Sequence, residues 1–215
     1  MRIPLMPLNS VLYPWMPLVL SVYEERYLRM LEEVLRGPQF FGTALIAEGR
    51  EVGGPAVPHA VGTEVIIARA WPVEDGSWRV VGIGRHRFRV LSMVTQEPYP
   101  VAEVDYAGLG ESCEEEVSEE LLARVRRLFE EHLELLLILL GQPGMTPSIP
   151  EDAARLSYMV AAHLGTGTLE RQRLLEIPGA RERLETEVGL LRQDLARLRL
   201  FAAATPSRPE RADLN

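Results

Sequence analysis

The chain has 215 residues, 47% hydrophobic and 25% charged, with a formal net charge of −8, values of a globular protein able to bury one large core or two small ones. All 23 basic residues are arginine; these residues therefore hold no P-loop, no Ser-Lys peptidase dyad and no Schiff-base catalyst, because a guanidinium stays protonated at any working pH. The acidic balance argues against nucleic acid as the main partner, since phosphate binding draws on clustered positive charge.

Up to about Gly110, proline and glycine punctuate short β-branched runs, and strands are predicted over Arg2–Leu5, Leu18–Val22, Gly42–Ala47, Glu64–Val73, Trp78–Ile83, Arg85–Val94 and Val101–Tyr106. The opening MRIPLMPLNS has prolines where a signal peptide needs a continuous apolar run. Between the first two strands, prolines stiffen a loop holding Tyr13, Trp15 and Met16. Those side chains either offer a preordered apolar surface to a peptide or fold back to plug one end of the β unit.

A helix is predicted from Glu24 to Leu35, stopped by Gly37-Pro38; Glu24 and Glu25 point in different directions on it and compensate its dipole without forming a facing acid pair. Asp75-Gly76 marks a hairpin. Strict alternation puts Arg85, Arg87 and Arg89 on one face of the following strand and His86, Phe88 and Val90 on the other. The three arginines either bind phosphate or an RNA backbone, or pair with carboxylates on neighbouring strands and on the helical half. Gly82 and Gly84 suggest a bulge or sharp bend.

Beyond Gly110 the composition turns helical and more acidic: 13 arginines face 19 acidic residues there, against 10 and 12 before it. Cys113 sits among Glu111, Glu114, Glu115 and Glu116, whose field raises a thiol's pKa; a lone cysteine forms no internal disulfide and implies no oxidising compartment. Helices are predicted from a Ser118 cap to Leu140, from the Ser148–Glu151 segment to near Gly165, from a Thr168 cap to Glu176, and from Ala180 to Ala203. The apolar run Leu135–Leu140 is far shorter than the roughly 20 residues that cross a bilayer. Leu184, Val188, Leu191, Leu195, Leu198 and Phe201 form one stripe on the last helix, which either completes an internal bundle or pairs with a second subunit. The histidines (59, 86, 132 and 163) lack metal-ligand spacing, no G-x-S-x-G elbow is present, and the residues offer neither a catalytic set nor a cofactor site.

Three segments together resemble the N-terminal substrate-binding domain of Lon proteases. PLMPLNSVLYPWMPLVLSVYEERYLRMLEEVL matches its proline-leucine strands, "VLFP" turn and "FEERY" helix; GIGRHRFRVL matches its "GRQRFRIL" strand, with His86 where glutamine is common; EPYPVAEVDY matches "PYPVAEVEY". Order and spacing agree across roughly residues 1–203.

The resemblance implies an α+β fold: a PUA-like β-barrel with one inserted helix over residues 1–110, then a mostly α-helical bundle over 111–203, with a disordered tail at 204–215. It implies capture of unfolded or apolar polypeptide segments, as an adaptor or holdase working with a protease or chaperone. With no ATPase or peptidase residues before position 215, the expectation is a stand-alone, non-catalytic Lon-domain protein in the cytoplasm, monomeric or weakly dimeric. The alternatives are an RNA-binding PUA-like protein or a small-ligand site at the barrel mouth.

Overall fold

The computed structural model describes residues 1–109, 116–142, 144 and 147–204. Six strands, β1 (Arg2–Leu8), β2 (Pro17–Val22), β3 (Phe40–Gly49), β4 (Ala56–Pro72), β5 (Trp78–Thr95) and β6 (Val101–Asp105), form one mixed sheet in the order β2-β5-β4-β3-β1-β6. β1 and β3 are parallel and the other pairs antiparallel. Because β6 also pairs with β5, the ladder β5-β4-β3-β1-β6 returns to its start and leaves β2 at an edge.

Five helices complete an α+β architecture: α1 (Glu25–Arg36) between β2 and β3, then α2 (Glu119–Leu139), α3 (Ala153–His163), α4 (Thr168–Glu176) and α5 (Ala180–Ala204). α1 buries Tyr27, Met30, Leu31 and Val34 against Val22, Val65, Ile67 and Val80 of the sheet. Ile3, Leu5, Ala44, Phe88, Ala102 and Val104 fill the space enclosed by the returning strands. The largest cluster joins Tyr13 and Val61 to Phe129, Leu156, Tyr158, Leu174, Leu184 and Leu191 of the helices, so the β and helical halves share one core. Burying a side chain of this size contributes roughly 1.5–3 kcal/mol, and the shared cluster therefore couples the halves strongly.

Several expected boundaries move for identifiable reasons. The two strands expected on either side of Gly84 are one 18-residue strand, because the glycines bend β5 without ending its pairing. β4 starts at Ala56, well before Glu64, since its first half pairs with β3 and its second with β5. Ser118 does cap α2, accepting from the Leu121 N–H at 3.3 Å. The α3 cap is Asp152, which accepts from the Arg155 N–H at 2.8 Å, and neither Ser148 nor Glu151 serves there. Thr168 is the first residue of α4 and Gly167 its cap, without a side-chain hydrogen bond. Leu184, Val188, Leu191 and Leu195 of the α5 stripe are buried inside the bundle, whereas Phe201 is exposed. Cys113 and residues 205–215 lie outside the described residues.

Candidate functional site

The proline-framed loop meets β5 at Gly84. The Trp15 N–H donates to the Gly84 carbonyl at 2.8 Å, and the Gly84 N–H donates to the Met16 carbonyl at 3.0 Å. A Cβ at Gly84 would lie 2.2 Å from the Tyr13 carbonyl oxygen, so only glycine admits the loop this close. The crossing forces Trp15 to a φ of 62°, a left-handed conformation that costs a bulky L-residue roughly 1–2 kcal/mol. Strain of this kind gathers where a side chain is held out for use.

The loop divides its three apolar side chains. Tyr13 is buried and donates its hydroxyl to the Arg171 carbonyl at 2.8 Å; burial, above all, raises its phenol pKa. Met16 is half-buried between two core clusters. Trp15 remains 38% exposed, its ring 5.8 Å from that of Tyr158 and under the Arg155 guanidinium. Tyr13 thus folds back into the core, whereas Trp15 keeps part of its ring at the surface.

Arg85, Arg87 and Arg89 do not form one exposed row. Between Val65↔Gly84 and Thr63↔Arg87, β5 takes three residue steps against two on β4, and this bulge breaks the alternation. Arg85 is exposed, 3.7 Å from the buried Glu64 carboxylate, which also accepts from the Tyr106 hydroxyl at 2.6 Å. Arg87 is buried, donating to the carbonyls of Leu175, Ile177 and Pro178. Arg89 is exposed on the far side of the bulge, opposite Val61 and Asp105.

The outer face of the sheet beside β2 carries a surface the loop residues only border. Register aligns Pro17, Ile83, Ile66 and Phe40 in one row, Val19, Val81 and Arg69 in the next, and Ser21, Arg79 and Trp71 in a third. Val19 is 63% exposed and Ile83 47%. Ile66 and Trp71 are also exposed. The alternate residues Leu18, Leu20, Val22, Ile67 and Val80 turn inward onto α1, so this half of the sheet is apolar on both sides. A contiguous exposed apolar patch on a soluble fold marks an interaction surface.

A family model described as the ATP-dependent protease La (LON) substrate-binding domain matches residues 2–193. The chain belongs to the Lon substrate-binding domain family. The Lon protease of Bacillus thuringiensis is 27% identical over 196 residues, which are 89% of this chain and 24% of that protein. The chain thus spans about a quarter of the length of such curated relatives. The crystal structure of a Lon N-terminal domain protein from Xanthomonas campestris superposes with a TM-score of 0.68 at 28% identity, covering 88% of this chain and 98% of that one. The N-terminal domain of Mycobacterium avium complex Lon protease shares the fold alone, with a TM-score of 0.62 at 14% identity over 89% of this chain and 98% of that one.

Among the described residues no group of three or more His, Cys, Asp or Glu side chains is placed to hold a metal, and no described helix is long and apolar enough to cross a membrane. Two buried polar groups are tied to one another across the helices: His132 meets Asp194 at 2.8 Å between α2 and α5, and Asp194 also accepts from the Gly165 N–H. Glu187 is wholly buried beside Arg183, and both carboxyl oxygens lack a hydrogen-bond partner; burial raises its pKa well above the ordinary value. Sequence reasoning missed the exposed face of Val19, Ile83 and Ile66, although the unbroken apolar runs PLVL and VIIA were its only available signal. Registering three strands against one another takes the fold.

Proposed function

We propose that this Lon-family domain is a non-catalytic recognition module for unfolded or apolar polypeptide, with Trp15 and the outer face of β2, β5 and β4 as the contact surface. The observation that carries the reading is that face: Ile83 and Ile66 lie side by side, Val19 stands in the adjacent row, and all three are open to solvent in a family whose model is described as substrate-binding. The closed pairing of β5 with β6 supports reading residues 1–110 as a small PUA-like barrel and 111–203 as a helical bundle packed on it. The module acts in the cytoplasm as an adaptor or holdase, delivering or protecting chains that expose apolar segments.

The test is binding of a reduced, carboxymethylated and permanently unfolded polypeptide, followed by fluorescence anisotropy. Micromolar binding is expected, with Ile83→Ser and Trp15→Gly each weakening it several-fold at unchanged thermal stability. Absence of binding by the intact domain would end the reading.

A further inference from the structure

We propose that β2 receives an extended, apolar polypeptide segment bearing carboxylate side chains, added to the sheet as a seventh strand. The inference rests on polypeptide recognition as argued above and names its mode and its substrate class.

The backbone states the mode. Among the described residues β2 pairs with β5 alone. The hydrogen bond from the Gly84 N–H to the Met16 carbonyl fixes the alternation, so Leu18, Leu20 and Val22 direct their backbone groups toward β5. Pro17, Val19 and Ser21 direct theirs away from the sheet. Proline, which has no N–H to donate, stands at one of these outward positions, as sheet edges require. Among the described residues no protein group bonds the outward N–H or carbonyl of Val19 or Ser21. Unpaired groups at strand spacing are a template for another extended chain.

The side chains state the class. Nearest the edge stand Pro17, Val19 and Ile83, which suit an apolar strand. The only ionised groups in the three rows are Arg69 and Arg79. Arg79 donates to the Ser21 hydroxyl, and Arg69 lies 4.9 Å from the Trp71 ring. Neither is in a salt bridge with a described carboxylate; Asp75, engaged by the Ser77 N–H and hydroxyl, feels Arg79 only as the least of the influences that lower its pKa. In a chain of net charge −8, three rows with two arginines and no acid complement an acidic-apolar segment; the carboxylates beside the Val22 end of β2, Glu24 and Glu51, are already engaged by Arg26 and the Asn9 N–H. A second copy complements it poorly, because PLVLSV brings no carboxylate to meet the arginines.

The test uses the intact domain and labelled octapeptides of alternating valine and threonine, flanked by aspartate, asparagine or lysine. The aspartate peptide is expected to bind about tenfold more tightly than the lysine peptide, a preference that the double substitution Arg69→Ala, Arg79→Ala abolishes. Methylating alternate backbone nitrogens of the aspartate peptide, on the edge that faces β2, is expected to abolish binding. Val19→Pro, which removes an outward N–H and no bond to β5, is expected to do the same at unchanged circular dichroism. Equal binding of the three charge types, or undiminished binding of the methylated peptide, overturns the proposal while polypeptide recognition stands. Failure of every octapeptide while the carboxymethylated polypeptide binds also overturns it. Failure of both ligands removes polypeptide recognition itself. A concentration-dependent dimer that Val19→Pro dissolves would give the edge to a second copy and likewise overturn it.

Discussion

The Arg87 guanidinium of β5 donates to the Pro178 carbonyl at 2.7 Å, across 91 positions of chain. The same group reaches the Leu175 carbonyl at 2.8 Å and the Ile177 carbonyl at 2.6 Å. Arg183 donates to the Ile177 carbonyl from the other side, at 3.0 Å, and covers the Tyr158 ring. Arg87 thus clamps the α4–α5 connection onto the sheet, and Arg183 holds it to α5. Carbonyls that end a helix without a following turn need such donors, because burial without them is costly.

Arg87→Ala should destabilise the fold by about 3 kcal/mol, since it strands buried carbonyls and opens a cavity together. Urea unfolding followed by tryptophan fluorescence measures the loss. Arg87→Lys should recover less than half of it, because a single ammonium does not span three acceptors in the plane of a guanidinium. Full recovery by lysine would show that the charge matters and the fork does not.

Glu187 should make stability depend on pH. Its folded pKa is raised well above 4.5 by burial, with Arg183 opposing. A raised acid binds its proton more tightly when folded, so stability is fully present below the unfolded pKa and declines as pH rises toward the folded one. Glu187→Gln keeps the shape and removes the titration. The variant should match the parent at pH 4, exceed it at pH 8 and show a flatter profile between. Denaturant midpoints across that range decide the matter, and parallel profiles for the two proteins would refute the assignment.

Gly84→Ala tests how closely the loop and the sheet are fitted. The new methyl would sit 2.2 Å from the Tyr13 carbonyl oxygen, a backbone atom held by flanking hydrogen bonds. Overpacking of this kind costs roughly 1–3 kcal/mol. The loop must lift, exposing Tyr13 and Trp15 together, so a lower unfolding midpoint should accompany a red-shifted tryptophan emission. An unshifted spectrum with lowered stability would mean that β5 gives way and the loop does not.

What the sequence made legible follows the range of each interaction. The helices were readable because their signals are local: the Ser118 cap, Gly37 and Gly141 at helix ends, and the spacing of Leu184, Val188 and Leu191. The β5 bulge was legible as a place, from Gly82 and Gly84, but its consequence for Arg85 and Arg87 was not. One extra residue moves Arg85 off the face of Arg87, and only the partner strand reveals it. Arg87 was expected to meet phosphate or a carboxylate, and it meets backbone carbonyls of the α4–α5 connection, which nothing near it in sequence announces. The outer face of β2 was invisible for the same reason, being assembled from residues 17–21, 66–71 and 79–83.

Tyr13 and Trp15, two positions apart in the loop, should respond oppositely to substitution. Tyr13 is packed against Tyr158 with ring centroids 5.8 Å apart and anchored to the Arg171 carbonyl, so Tyr13→Ala removes core and should cost about 3–5 kcal/mol. Trp15→Gly removes a half-open ring and, at φ 62°, relieves a backbone strain that glycine does not feel. The lost contacts with Tyr158 and Arg155 offset that relief, and stability should stay within about 1 kcal/mol of the parent. Binding of the carboxymethylated polypeptide separates the roles. Trp15→Gly should weaken it several-fold in a fully folded protein, whereas Tyr13→Ala, measured where it remains folded, should weaken it only as far as the loop shifts. If Trp15→Gly binds as the parent does while Ile83→Ser does not, recognition belongs to the sheet face alone, and the strain at Trp15 serves the packing of the loop against α3.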